Sequence, residues 1–120
     1  MAGPTDFQQN LNAGYDEAWH EIGATGQPAF QNGWVYAGAP YNTCAFRKDG
    51  FGFVHLKGVM KSGTIGSVAF TLPAGYRPAA TVLSPTTTTQ YVSVDSSGNV
   101  SGLFANTGTP IDGITFHAEQ

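Results

Sequence analysis

The sequence predicts an all-β chain: an antiparallel β-sandwich of jelly-roll-like type, about eight short strands, with a short N-terminal lead-in. Three observations lead there. Short runs rich in Val, Ile, Thr, Phe and Tyr alternate with Gly, Pro, Asn and Asp clusters, at the ~8–12-residue spacing of sandwich strands. No helix-period run of convincing length follows Gly23. Charged residues make up only 11% of the 120 residues, while glycine contributes 16. That balance fits a β domain with many turns.

Each element has its own justification. Residues 1–18 are mostly polar; Thr5 or Asp6 offers an N-cap, Phe7 and Leu11 stand at i and i+4, and Gly14 is a stop. So short a helix is marginal alone, so this segment reads as an extended or helical lead-in that orders only against something else. The domain proper is expected over residues 19–120. Residues 19–23 open it, and residues 30–38 contain Asn32-Gly33, a turn or bulge. Residues 43–48 and 51–60 flank Asp49-Gly50, which predicts a hairpin with a type I′ turn. Residues 64–72 end at Pro73-Ala74-Gly75, read as a type I turn. Strands are expected over 80–84, 90–95, 100–104 and 111–118. The loops between them are 85–89 and 106–110, with a turn at Ser96-Ser97-Gly98-Asn99. In residues 51–60 both faces are largely apolar, which predicts one strand covered on both sides.

Composition excludes several classes. The formal charge is −3, and the five Lys plus Arg are scattered, so the basic stripe of a nucleic-acid binder is missing. No apolar run approaches the ~20 residues of a membrane helix, and the N-terminus lacks the pattern of a signal peptide. One cysteine, Cys44, rules out an internal disulfide and fits assembly in a reducing cytoplasm. Cys44 reads as a small buried hydrophobe.

Several segments together resemble the C-terminal head domain of bacteriophage tail proteins, meaning minor tail proteins, receptor-binding proteins and tail-fibre tips of phages with Gram-positive hosts. They are Trp19-His20-Glu21-Ile22-Gly23, Phe46-Arg47-Lys48-Asp49-Gly50, Val54-His55-Leu56-Lys57-Gly58, Gly63-Thr64-Ile65-Gly66 and Phe70-Thr71-Leu72-Pro73-Ala74-Gly75-Tyr76-Arg77-Pro78. Residues 28–34, 95–100 and 111–116 also fit. The resemblance runs from about residue 19 to the end. It implies a β-sandwich, usually trimeric, at the tip of a virion appendage, acting as a structural and adhesive module. That module ordinarily ends a long protein, whereas here about 18 residues precede it. Both a domain of a longer chain and a small stand-alone protein are open.

The chemistry-bearing residues form no reaction signature. His20, His55 and His117 have no i, i+2 or i, i+4 partner, so no metal site is expected, and no cofactor. Nothing selects a pair among the eight carboxylates for glycosidase work. Asp95 to Asn99 lacks the downstream glutamate of a calcium loop and reads as a turn. No Gly-x-Ser-x-Gly elbow or phosphate-cradling loop occurs. Catalytic residues are therefore not expected. Aromatics are the one enriched class with binding chemistry. Tyr36, Tyr41 and Tyr91 fall near loops or strand ends and are the candidate ligand-binding residues, with Trp34 and Phe30 assigned to the core.

The expected function is a virion structural protein: a homotrimeric tail-tip or fibre head that binds a host cell-surface polysaccharide. Phe51, Phe53 and His55 are the expected interface residues. The alternative is a capsid or tail decoration protein, anchored to other virion proteins through residues 1–18 and without a receptor. Neither reading involves nucleic acid or membrane insertion, and both place the protein in the virion.

Overall fold

Chain reversals set the architecture, and several of them pair an aspartate or asparagine with a glycine. The computed structural model describes residues 17–87 and 90–120. The expected lead-in helix and Thr88-Thr89 of the expected loop lie outside these residues. Among the described residues there are eleven strands and no helix. They are β1 (His20–Glu21), β2 (Val35–Tyr36), β3 (Ala45–Lys48), β4 (Phe53–Lys57), β5 (Val59–Lys61), β6 (Val68–Thr71), β7 (Val82–Pro85), β8 (Tyr91–Val94), β9 (Asn99–Gly102), β10 (Thr109–Pro110) and β11 (Thr115–His117). Three antiparallel sheets result, in the orders β1-β3-β4-β11, β10-β5-β2 and β6-β9-β8-β7. The all-β, sandwich-like class expected from the sequence is the class observed.

The strand count exceeds eight because the 51–60 run is split at Gly58 and because two-residue strands form at His20–Glu21, Val35–Tyr36 and Thr109–Pro110, the last inside the expected loop 106–110. Residues 51–60 are not one strand. Gly58 takes φ 113°, and a Cβ there would sit 2.6 Å from the Cα of Cys44. The Gly58 N–H donates to Asp112 Oδ1 at 2.7 Å, and its carbonyl accepts from Ile111 N at 2.8 Å. The chain thus leaves the first sheet after β4 and enters the second as β5. Val54 and Leu56 face the core from β4, while Val59 and Met60 are both buried in β5. The apolar pattern on both faces therefore comes in part from a change of sheet. Residues 64–67 likewise form a turn before β6, with Gly66 at φ 84°.

The turns correct two expectations. At Asp49-Gly50 the loop is three residues long: Asp49 N–H donates to Phe53 C=O, and Gly52 N–H donates to Asp49 C=O. Positive φ falls on Gly52 (87°), which marks a type I turn closed by a G1 bulge rather than a type I′ turn. The Asp49 carboxylate accepts from the N–H groups of Phe51 and Phe53. Asp95 repeats the device, accepting from Ser97 and Asn99 with Gly98 at φ 85°. The type I′ turn is at Asn32-Gly33, where both φ values are positive (57° and 82°) and Trp34 N–H donates to Gln31 C=O. Pro73 to Tyr76 has positive φ only at its third residue, Gly75 (92°), the signature of type II instead of type I.

All three sheets feed one core. Phe46, Val54, Leu56 and Phe116 enter from the first sheet, Met60 from the second, and Phe70, Val92, Val94 and Val100 from the third. Each such side chain contributes about 1.5–3 kcal/mol by leaving water. Trp34 stands at their meeting point, 1% exposed, with its indole N–H donated to Ser67 Oγ at 3.1 Å. Phe30 is partly buried against this core and meets Phe70 edge-on. The Trp34 ring lies on Gly63 and Gly102, where added Cβ atoms would come to 2.0 and 2.7 Å of it. A fully enclosed indole cannot yield that distance. Gly63→Ala is expected to lower stability by about 3 kcal/mol or more. Urea unfolding followed by tryptophan fluorescence checks this, and an unchanged midpoint would refute the packing account.

Candidate functional site

The motif residues behind the phage-head resemblance converge in space. Glu17 accepts the Tyr76 hydroxyl at 2.7 Å and the Lys48 N–H at 3.3 Å, and pairs with His20 Nε2 at 3.0 Å. The His20 ring lies 5.0 Å from Phe46, and Phe46 lies 5.2 Å from Tyr76 in an edge contact. Lys48 Nζ donates to Gly75 C=O at 2.9 Å and sits 4.8 Å from the Tyr76 ring. Arg77 Nε donates to Leu72 C=O, and Gly75 N–H donates to Gln120 C=O. Three segments far apart in the chain are thereby locked together. Their polar groups are used on one another, so this cluster builds the fold.

Its electrostatics follow from those contacts. Burial works to raise the Glu17 pKa, but hydrogen bonds from Tyr76, His20 and Lys48 N–H and the His20 charge outweigh it, leaving the carboxyl below its ordinary range. Burial, then the Glu17 hydrogen bond and charge, push the Tyr76 phenol up to about 12. Burial pushes the Cys44 thiol up to about 12 as well, with Asp112 and Glu21 adding to it.

The outer face of the first sheet is the most chemically varied surface. Strand register places Arg47, His55 and Thr115 in one row across β3, β4 and β11. His55 Nε2 meets Asp49 Oδ2 at 2.8 Å, and His55 Nδ1 meets Thr115 Oγ1 at 3.2 Å. The His55 hydrogen bond is the largest influence holding the Asp49 carboxyl below its usual range; burial opposes it, and the Phe53 and Phe51 N–H groups and the His55 charge assist it. In the next row Phe53 and His117 pair edge-on at 5.1 Å. Trp19 lies beside Arg47 and Lys57, at 5.1 and 5.4 Å from its ring, and Lys57 also pairs with Glu21 at 3.6 Å. Phe51, at the hairpin tip, is 79% exposed. Carboxylate, imidazole and hydroxyl thus stand in line on an open surface, and no pocket opens among the described residues. Such a face can make many contacts but does not enclose a substrate.

The structure places the expected residues as follows. Phe51, Phe53 and His55 all face outward on or beside β4. Tyr36 and Tyr41 come together, the Tyr36 hydroxyl donating to the Tyr41 carbonyl, and Tyr41 is 54% exposed. Tyr91 belongs to the third sheet, on a different strand system, and makes an edge contact with Phe104 at 5.5 Å. Trp19, Asp49, Thr115 and Phe104 are surface partners the sequence reading did not select. Period-two alternation from His55 would have found Trp19's face only once β1 was paired with β3. Phe104 carried one signal, a phenylalanine opening a polar loop. His20 belongs to the motif cluster, and His55 and His117 share the outer face of the first sheet. The described residues hold no group of three or more His, Cys, Asp or Glu suited to a metal ion, and no helix long and apolar enough to cross a membrane.

With this geometry in hand, comparison with protein-family models, with curated proteins and with solved structures finds no match.

Two outcomes follow from the electrostatics. Because the folded pKa of Glu17 is lowered, its stabilisation is present above the unfolded carboxylate pKa and is lost as pH falls through the folded value. Glu17→Gln should therefore flatten the fall in stability between about pH 5 and pH 3, seen in urea midpoints across that window. An unchanged slope would mean that the cluster carries no charge coupling. Cys44 should resist thiol reagents at neutral pH in the native protein and react once it is unfolded. Fast labelling of the native protein, followed by absorbance, would contradict its burial.

Proposed function

We propose that this chain is a bacteriophage virion protein: a homotrimeric head domain at the tip of a tail appendage or fibre, which binds a host cell-surface polysaccharide. One observation carries the reading. Exposed aromatic side chains gather on sheet faces that the chain leaves uncovered, while the residues resembling phage heads are engaged in holding the interior together. Tyr91 and Phe104 on one face supply flat, rigid surfaces of the kind sugars stack upon, while Trp19, Phe51 and Phe53 leave a second face apolar and uncovered. An open surface without a pocket suits a polymer with repeated weak contacts, and avidity from several copies makes weak sites sufficient.

The proposed trimer would cover the outer face of β4 with Phe53 and His55, Phe51 lying at its margin. Strand β5 takes no part, since Val59 and Met60 are buried within the chain itself. Closed symmetry removes an exposed apolar face on a chain with few charges to protect it. A second reading, a decoration protein anchored by its lead-in, draws support from Glu17. Its N–H donates to Lys48 C=O, which ties the first described residue to the end of β3.

Light scattering at micromolar concentration is expected to give the trimer mass for the wild type and a monomer for Phe53→Asp. A monomeric wild type would remove the trimer. Labelled protein is expected to bind intact host cells or purified wall polysaccharide. Failure to bind either, together with loss of particle incorporation on deleting residues 1–16, would decide for the decoration reading.

A further inference from the structure

We propose that the outer face of the β6-β9-β8-β7 sheet, centred on Tyr91 and Phe104, seats an uncharged pyranose, gripped by its C–H face. The inference rests on the carbohydrate-binding reading above and adds the site and the charge class of the sugar.

Register fixes what this face presents. Leu83 pairs with Ser93, and Pro85 pairs with Tyr91, so these four side chains share one side of the sheet. The alternate residues Val92, Val94 and Val100 are fully buried on the other side. Leu83 is 57% exposed and Phe104 62% exposed, values the core does not account for. Phe104 is nevertheless held: its ring meets Tyr91 at 5.5 Å with an interplanar angle of 81°. Two aromatic planes set nearly at right angles form a corner, and an aromatic pair has little side-chain freedom left to lose on binding.

Charge decides between ligand classes. The four strands read VAFT, VLSP, YVSV and NVSG, and the one carboxylate at their margin, Asp95, is engaged by the Ser97 and Asn99 N–H groups and the Asn99 side chain. The outer face of the first sheet is the opposite, carrying Arg47, Lys57, His55, Glu21 and Asp49. A phosphate-bearing wall polymer would be drawn to cations, with affinity falling as salt rises. No cation among the described residues of the Tyr91 face would hold it. A neutral pyranose offers what this face can use: a patch of C–H groups for the Phe104 ring, and hydroxyls for Ser93 and the Tyr91 phenol.

The test uses the full chain and its Phe104→Ala variant, an exposed position whose loss should leave the fold intact by circular dichroism. The probes are host wall polysaccharide, methyl glycosides of glucose, galactose and N-acetylglucosamine, and polyglycerol phosphate as the anionic comparison. Expected is binding to the wall polysaccharide or a glycoside, read by saturation-transfer NMR or pull-down, unchanged between about 50 and 300 mM salt. Phe104→Ala should weaken it about tenfold or more, while Trp19→Ala should not. Binding undiminished in Phe104→Ala would overturn this site yet leave the carbohydrate reading standing. Binding confined to polyglycerol phosphate and abolished by salt would overturn the neutral-sugar assignment. A fall in oligomeric mass in Phe104→Ala would make the face a contact between copies and overturn the proposal. No binding to any probe would remove the carbohydrate reading itself.

Discussion

The seat of the Trp34 indole is the constraint on which the rest of this fold depends. The ring needs two positions without side chains beneath it, Gly63 in the β5–β6 connection and Gly102 at the end of β9. Ser67 takes its N–H, so the one polar atom of the ring is satisfied inside the protein. The Asn32-Gly33 turn delivers the ring there, and Asn32 Nδ2 ties that turn to Val68 C=O at 2.8 Å. The β2–β5 pair and the β6–β9 pair are thereby held at a fixed separation. No pairwise strand ladder could do this, because ladders act within a sheet. Side-chain volume placed between sheets is what fixes their relation.

Gly58 is the complementary constraint, and it shapes the surface. By turning the chain out of the first sheet after Lys57, it lets one continuous segment serve two layers. It leaves β4 short, with its inner residues in the core and Phe53, His55 and Lys57 outside. The same step lets Asp112 reach back to the Gly58 N–H and lets β10 and β11 flank β5 and β4. The outer face of the first sheet is therefore a product of the sheet switch. Its polar row, with Asp49 fixed by two backbone N–H groups and His55 oriented between Asp49 and Thr115, is rigid because each member is held from behind.

What was legible in the sequence was what depends on neighbours along the chain. The all-β class, the Asp49 and Asn32 reversals and the turn at Ser96 to Asn99 are local, and so they could be read from turn residues and alternation. Turn type at Asp49 was misassigned because Asp-Gly satisfies two geometries. The decision belongs to Gly52, two residues on, whose positive φ sets a three-residue loop. The break at Gly58 was hidden for a different reason. An apolar run continues through it, and only the close approach of the Cys44 backbone requires glycine there. Of the site residues, outward placement of Phe51, Phe53 and His55 was readable from period-two alternation. Phe104 beside Tyr91, and Thr115 beside His55, depend on contacts between residues 13 and 60 positions apart. No local pattern encodes such pairs.

The distribution of charge separates the surfaces more sharply than the distribution of apolar area does. In a chain where charges are scarce, where they fall is informative. Lys48, Glu17 and Arg77 are used to tie three segments together, and Asp95 and Asp112 are occupied with backbone N–H groups. Of the charges left to the surface, Glu21, Arg47, Lys57 and Asp49 lie on or beside one sheet face, and the third sheet has none in its strands. A face with paired charges around exposed rings discriminates by complementarity and disfavours wrong partners, as interfaces between folded copies do. A face without charges discriminates by shape and stacking alone and tolerates weak, repeated contact. The proposed self-assembly on the first sheet and the proposed ligand contact on the third would therefore draw on different physics, so that neither surface would compete with the other.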